Sequence, residues 1–233
     1  MPDSFLNSDQ IGILQAMDIQ GWQSRVAPAA CQPDGAPAAI DAPGSASADW
    51  DSLATAVAGC ERCSLHASRR QTVFGVGSRN ADWMIIGEAP GAEEDRRGEP
   101  FVGKAGQLLN EMLRAAGFAR RDVYIANILK CRPPNNRDPR PEEVAACAAY
   151  LREQVEMVAP KLILAVGRIA AQNLLHREEP VGKLRGEVHR LDPLGVPVVV
   201  TYHPAYLLRS PAQKRKAWAD LCLARRVADQ SST

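Results

Sequence analysis

The chain has 233 residues, 45% of them hydrophobic and 24% charged, an ordinary globular balance at a length ample for a sizeable core. Its formal charge of +1 excludes a strongly basic, histone-like binder, and no apolar run is long enough to predict a transmembrane helix. The opening MPDSFLNSDQ is acidic where a secretory leader would be basic, so a soluble, cytoplasmic protein without membrane association is expected.

The small net charge hides an asymmetry. Residues 1–50 carry one basic and six acidic side chains, a net of −5, against +6 for the remainder. A mildly basic body with an acidic arm permits nucleic-acid contact without demanding it. Within residues 1–25, the stretch 8–23 has Ser8 as a candidate N-cap and Ile11, Leu14, Met17 and Trp22 as apolar positions, the pattern of a short amphipathic helix. Such a tethered helix suits docking to a replication or repair protein, and folding back on the body suits it equally. Residues 26–49 follow as a linker; 26–48 hold four prolines, no Lys or Arg and no aromatic residue, too little apolar material to offset ordering entropy. The main domain is then expected over 50–227, with a short tail at 228–233, as a monomer.

From residue 50 the chain alternates in type. Four short apolar runs, at 83–87 (WMIIG), 123–127 (VYIAN), 162–167 (LILAVG) and 198–202 (VVVTY), predict buried strands. Helical patterns lie between them at 104–116, where Leu108, Leu109, Met112 and Ala116 share a face ahead of Gly117, at 141–157 and at 169–175. This alternation predicts an α/β fold, a central parallel four-stranded sheet with helices on both faces in three α/β/α layers. Polar residues follow the strands directly: Gly87 and Glu88, Asn127, Gly167 and Arg168, His203. In open parallel sheets ligands bind beyond the carboxyl ends of the strands, so Glu88, Asn127 and His203 should meet in one cleft. An acid, a two-faced amide and an imidazole suit recognition of a planar polar ring and electrostatic work on it.

Six cysteines are present. Cys60 and Cys63 form a CxxC pair, with Cys131 and Cys147 lying 68 and 84 residues beyond Cys63. In a cytoplasmic chain this favours a metal site over disulfides, and the spacing fits zinc or a four-thiolate iron–sulfur cluster, with incidental buried thiols as the bland alternative. Cys31 and Cys222 read as incidental.

Five pieces occur in order: Cys60-x-x-Cys63, GEAPGAEED at 87–95, PFVGKAGQLLN at 100–110, NILKCRPPNNRDP at 127–139 with Cys147 following, and YHPAYLLR at 202–209. Together they resemble the family 4, iron–sulfur branch of the uracil-DNA glycosylases over about residues 55–225. The resemblance implies a structural [4Fe–4S] cluster on Cys60, Cys63, Cys131 and Cys147, and uracil-containing DNA as the partner. It also implies that Phe101 stacks on an extruded uracil, Asn127 reads its Watson–Crick edge and His203 faces its O2. Glu88 falls at the acidic position of the first motif, beside Gly87, and Glu94 where the family crowds uracil C5. The implied reaction is monofunctional hydrolysis of the N-glycosidic bond, the first step of base-excision repair. Capture of uracil-DNA without turnover is the competing reading. A related branch that couples covalently to DNA through a histidine near the third motif is disfavoured, because 128–147 contains none.

Basic residues cluster at Lys130, Arg132, Arg137 and Arg140, and again at Arg209, Lys214, Arg215 and Lys216, both groups adjoining the expected cleft. Phosphate contacts follow as an expectation for Arg132, Arg137 and Arg209, with a solvated face as the alternative for the second group. An apolar wedge filling the gap left by the flipped base falls to Leu207 or Leu208. The acidic run 93–95 is expected to be a solvated loop, at least at Glu93 and Asp95, rather than a Mg²⁺ site. No GK[ST] follows the glycines of 87–91, which argues against a phosphate loop. His66, His176 and His189 are expected at the surface.

Overall fold

The computed structural model describes residues 46–230, so the helix expected over 8–23 and nearly all of the 26–49 linker lie outside the described residues. The first helix, α1, spans Ala46–Ala58 and so opens inside the expected linker. Its Trp50 packs edge-on against Phe74 and Tyr124, which commits the helix to the body.

The sheet is built from β1 (Val76–Gly77), β2 (Trp83–Gly87), β3 (Tyr124–Asn127), β4 (Leu162–Val166), β5 (Val188–Leu191) and β6 (Val196–Thr201). Spatial order is β1–β3–β2–β4–β6–β5. The four expected strands form its parallel centre, in register Gly87 with Asn127, Ile85 with Leu164 and Ala165 with Val200. The four-strand expectation is two short: β1 and β5 pair antiparallel at the edges. Neither has a continuous apolar run, because an edge strand is covered on fewer sides. In β5, Val188 and Arg190 are exposed, and such polar edges discourage pairing with other chains.

Every residue of β2, β3 and β4 is buried. Successive side chains alternate between faces. Met84, Ile86, Tyr124, Ala126, Ile163 and Ala165 face a core with Leu151 and Val155 from α4 (Pro141–Val158) and Ala170 and Leu174 from α5 (Arg168–Leu175). The short α6 (Val181–Leu184) closes the same side. Trp83, Ile85, Ile125, Leu162 and Leu164 face Leu109 and Leu113 of α3 (Lys104–Ala115) and Leu221 and Ala224 of α8 (Lys214–Gln230). Each fully buried aliphatic side chain here contributes about 1.5–3 kcal/mol, which is what holds the three layers together. Two further short helices, α2 (Ala92–Arg97) and α7 (Pro204–Arg209), begin just beyond β2 and β6, at the functional end of the sheet. A third, smaller core joins Leu53 and Val57 of α1 to Leu65, Leu129, Cys131, Cys147 and Tyr150.

Candidate active site and thiol cluster

The carboxyl ends of the central strands open on a cavity of about 470 Å³ whose lining includes Glu88, Glu94, Phe101, Asn127 and His203. The strand-end expectation is therefore met in geometry, and each residue arrives for a local reason. Asn127 ends β3 with its side chain 2% exposed, and its Oδ1 has no hydrogen-bond partner. Leaving such an acceptor buried and unpaired costs about 1–3 kcal/mol, a cost that a ligand donor in the cavity removes. Gly87, opposite Asn127 in the sheet, is what permits the approach. A Cβ there would lie 2.5 Å from Asn127 Oδ1 and 2.6 Å from Phe101 Cζ.

Phe101 is 7% exposed and holds φ 52, the left-handed region. A bulky residue there costs about 1–3 kcal/mol and persists only when its surroundings over-determine it. Its ring lies 5.6 Å from the His203 ring at an interplanar angle of 29°, so two flat faces line one cavity. His203 caps α7, and its Nδ1 accepts the Ala205 N–H at 3.1 Å. An accepting Nδ1 carries no proton, so the neutral ring keeps its proton on Nε2 as a donor. Burial first, then the Arg209 charge, pull its pKa down to about 4, against a smaller opposing effect of Glu94. At neutral pH His203 is thus an uncharged donor.

Glu88 is pushed the other way, up to about 7, by burial and then by the Asp138 carboxylate, with Arg168 partly offsetting both. Asp138 and Arg168 form an ion pair at 2.5 Å, and Asp138 lines the cavity with Glu88. The Glu94 Oε1 accepts the N–H groups of Val102 and Gly103 at 2.9 and 3.1 Å. Glu94 therefore lines the cavity while capping the amino end of α3 from a distance.

Several expectations change. Asp95 is not part of a solvated loop: it is buried and accepts the Arg70 N–H at 2.9 Å, tying α2 to the chain beyond the CxxC loop. Glu93 is exposed, as expected. Lys130 is not a surface cation. It is 1% exposed, and its Nζ donates to Asn127 O at 3.0 Å and to Gln154 Oε1 at 2.5 Å. Arg137 lines the cavity mouth, but its fork donates to both oxygens of Glu143, a carboxylate only 1% exposed, so its charge is already neutralised. Arg132 is half-buried and donates to Asn136 Oδ1, and Arg209 is exposed on the cavity rim. Leu207 is 1% exposed within the α3–α8 core and is not free to leave it, whereas Leu208 is 44% exposed. Of the two wedge candidates only Leu208 is presented to solvent. His66 and His176 are exposed and His189 is half-buried, its Nε2 bonded to Leu184 O.

The cysteines converge as well. Cys60, Cys63, Cys131 and Cys147 line one small cavity together with Arg69 and Tyr150, and none is in a disulfide. Arg69 Nη1 donates to Cys131 Sγ at 3.2 Å and to Cys60 O at 2.7 Å, while the Lys130 N–H donates to Cys147 Sγ at 3.3 Å. Burial raises the Cys131 thiol and pushes Cys147 up to about 11. Among the described residues no group of three or more His, Cys, Asp or Glu side chains is gathered around a single-ion site. Four soft donors around one cavity, with N–H groups on two sulfurs, fit a four-thiolate site, whether a tetrahedral zinc or an iron–sulfur cluster.

This is a three-layer α/β scaffold whose strand ends frame a cavity lined by an acid, a buried amide, an imidazole and an aromatic ring, and the family model described as Uracil DNA glycosylase superfamily matches residues 74–222. The chain belongs to that superfamily. Within it the similarity runs to the type-4 branch. The chain is 45% identical over 176 residues to the type-4 uracil-DNA glycosylase of Archaeoglobus fulgidus, covering 73% of this chain and 88% of that one. To the type-4 uracil-DNA glycosylase of Pyrobaculum aerophilum it is 44% identical over 181 residues, 75% of this chain and 92% of the relative. A type-5 uracil-DNA glycosylase of the same organism is 31% identical over 191 residues, 68% and 83% of the two chains.

Proposed function

We propose that this chain is a monofunctional uracil-DNA glycosylase that hydrolyses the N-glycosidic bond of uracil in DNA, releasing free uracil and leaving an abasic site for base-excision repair. The unpartnered Oδ1 of Asn127, buried beside the Phe101 ring, is the observation that carries it. Uracil presents a donor at N3 and an acceptor at O4, which the Asn127 carbonyl and amide match. Cytosine reverses both and would leave the buried amide unpaired, the situation in which a hydrogen-bonding site discriminates most strongly. Reaching this recess requires the base to leave the stack, and Phe101 offers it a replacement stacking face.

In the reaction the C1′–N1 bond breaks and its electron pair passes to the uracil, which leaves as an anion with charge at O2 and N1. The neutral His203 donates from Nε2 to O2, an interaction strongest when that charge has developed. Ionised Glu88 orients the water that adds to C1′ and offsets the positive charge on the sugar; as the C1′–O bond forms the water gives up one proton, to Glu88 and from there to solvent, and the departed uracil anion takes up one proton from solvent. No proton need pass through a cationic imidazole, which accords with a histidine whose pKa lies near 4. The test is a denaturing gel of a uracil-containing oligonucleotide after incubation with the protein. Scission at uracil that depends on alkali is expected; an intact strand would mean capture without turnover, and scission without alkali a lyase.

Cys60, Cys63, Cys131 and Cys147 are the residues that would hold a [4Fe–4S] cluster, which supplies a covalent tie between the CxxC loop and the segment following β3. Cys131→Ala should lose the brown colour and most of the bound iron, and with them much of the soluble yield. Iron content equal to the wild type would refute its ligation. DNA backbone contacts fall to Arg132, Arg209 and the exposed Lys214, Arg215 and Lys216, three cations stacked in the first turn of α8 against the helix dipole. Leu208 is the wedge, so Leu208→Ala should slow excision from duplex several-fold more than from single strands. An equal effect on both would remove it from that role. No helix among the described residues is long and apolar enough to cross a membrane. The chain acts as a monomer on cytoplasmic DNA, with residues 1–25 recruiting a replication or repair protein. Removing residues 1–45, which stops short of α1, should spare excision from a short oligonucleotide.

A further inference from the structure

The backbone of Phe101 is held as tightly as its ring. Arg120, from the turn ahead of β3, donates from Nη2 to Pro100 O at 2.5 Å and from Nη1 to Phe101 O at 3.4 Å, with Asn110 Oδ1 as a third acceptor at 3.2 Å. Consecutive carbonyls point to opposite sides in extended chain and to the same side only when the intervening dihedrals are of helical type. One guanidinium fork spanning both therefore disfavours an extended Phe101, and its φ of 52 lies in the left-handed region, outside the extended range. Gly106 closes the opposite side: a Cβ there would lie 1.8 Å from Phe101 O, so the α3 backbone abuts that carbonyl directly. The ring end is fixed by Gly87, where a Cβ would meet Phe101 Cζ at 2.6 Å.

We infer that Arg120 is a positioning residue of the base pocket: its fork across the Pro100 and Phe101 carbonyls holds Phe101 in the left-handed conformation that sets the ring beside Asn127 and His203. Arg120 touches neither base nor sugar in this scheme and acts through Phe101. Burial lowers its pKa, yet the nearby charges of Glu99 and Glu94 oppose the loss of its proton, so the fork stays charged at working pH. A planar fork is what the geometry demands, and a lysine, with one nitrogen, cannot serve both carbonyls in the same way. The inference rests on Phe101 being the stacking face for the extruded base.

The experiment is a double-variant cycle on the full chain, read as the single-turnover rate of uracil release from a single-stranded oligonucleotide. Arg120→Met should slow release on the order of ten- to a hundredfold, as expected when a positioned group is misplaced by a fraction of an ångström or more. Its loss should vanish in the Phe101→Ala background, because both changes then remove the same thing. Losses that multiply in the double variant, or a folded Arg120→Met that releases uracil at the wild-type rate, would overturn the inference. Should Arg120→Met fail to fold, Arg120→Lys takes its place in the same cycle. A crystal structure of the substituted protein separates the two ideas. Phe101 relaxed to negative φ together with slowed release supports the role of Arg120, and a retained left-handed Phe101 sinks it. A wild-type chain that releases no uracil would instead refute the glycosylase reading.

Discussion

Asn127→Ala and His203→Ala are each expected to slow single-turnover uracil release by on the order of 10²–10³-fold, the cost of removing one preorganised donor or reading group from a water-poor site. The two losses differ in kind. His203 donates to an oxygen whose charge appears only as the glycosidic bond breaks, so its removal should lower the maximal rate and leave binding of uracil DNA nearly intact. Asn127 engages the base before and during bond breaking, so its removal should weaken binding and also blunt the choice of uracil over cytosine. The backbone of Asn127 stays anchored in either case, because its carbonyl is held by the buried Lys130 and its strand register by β2. A melting temperature close to wild type should therefore accompany Asn127→Ala, and a somewhat lower one His203→Ala, which also removes the side-chain cap of α7. Unchanged excision in either variant, with the protein folded, would contradict the assigned role.

The sequence carries the central strands and the polar residues at their ends for one shared reason: each is marked by a local pattern whose meaning does not depend on distant residues. A run such as WMIIG is too short and too apolar for anything but a buried strand, and the polar residue after it must then stand at the sheet edge where ligands bind. What escaped notice depends on packing. Lys130 looks like one more cation in a basic stretch, and only the fold shows it walled in between Asn127 and Gln154. Leu207 and Leu208 are equivalent in sequence, since a six-residue helix has too few turns to declare its buried face. Arg137 and Glu143 lie six residues apart across a loop, a spacing with no helical meaning, yet they pair closely. Arg120 sits outside every motif. The only outward hint of its role is the pair of glycines, Gly87 and Gly106, where the backbone must admit Phe101 at close range.

The pH dependence of the reaction should report Glu88. Its pKa near 7 means that the ionised form wanted beside a cationic sugar is incomplete at neutral pH and scarce in mild acid. Because kcat/KM follows ionisation of the free enzyme, it should rise about tenfold per pH unit up to a plateau just above pH 7, lying roughly a hundredfold below that plateau at pH 5. His203, with its pKa about 4, stays neutral throughout this range and adds no limb of its own. Asp138→Asn removes the carboxylate that raises Glu88 and frees Arg168 from its ion pair, so both changes should move the limb to lower pH. Arg168→Gln should move it to higher pH. The same shift carries an opposite consequence for stability. A carboxyl whose folded pKa lies above its unfolded value of 4.5 opposes folding by an amount that grows as pH rises from 4.5 to about 7 and is constant above. Glu88→Gln should therefore flatten the rate profile at a low level while raising the melting temperature at pH 8 and leaving it unchanged near pH 4. A profile that is flat from pH 5 to 8 in the wild-type chain, with Glu88→Gln as fast as the wild type, would show that ionised Glu88 is not needed, and would hand the water to another group in the cavity. Opposed effects of one substitution on rate and stability would instead mark Glu88 as a charge held at a cost to the fold because the reaction requires it.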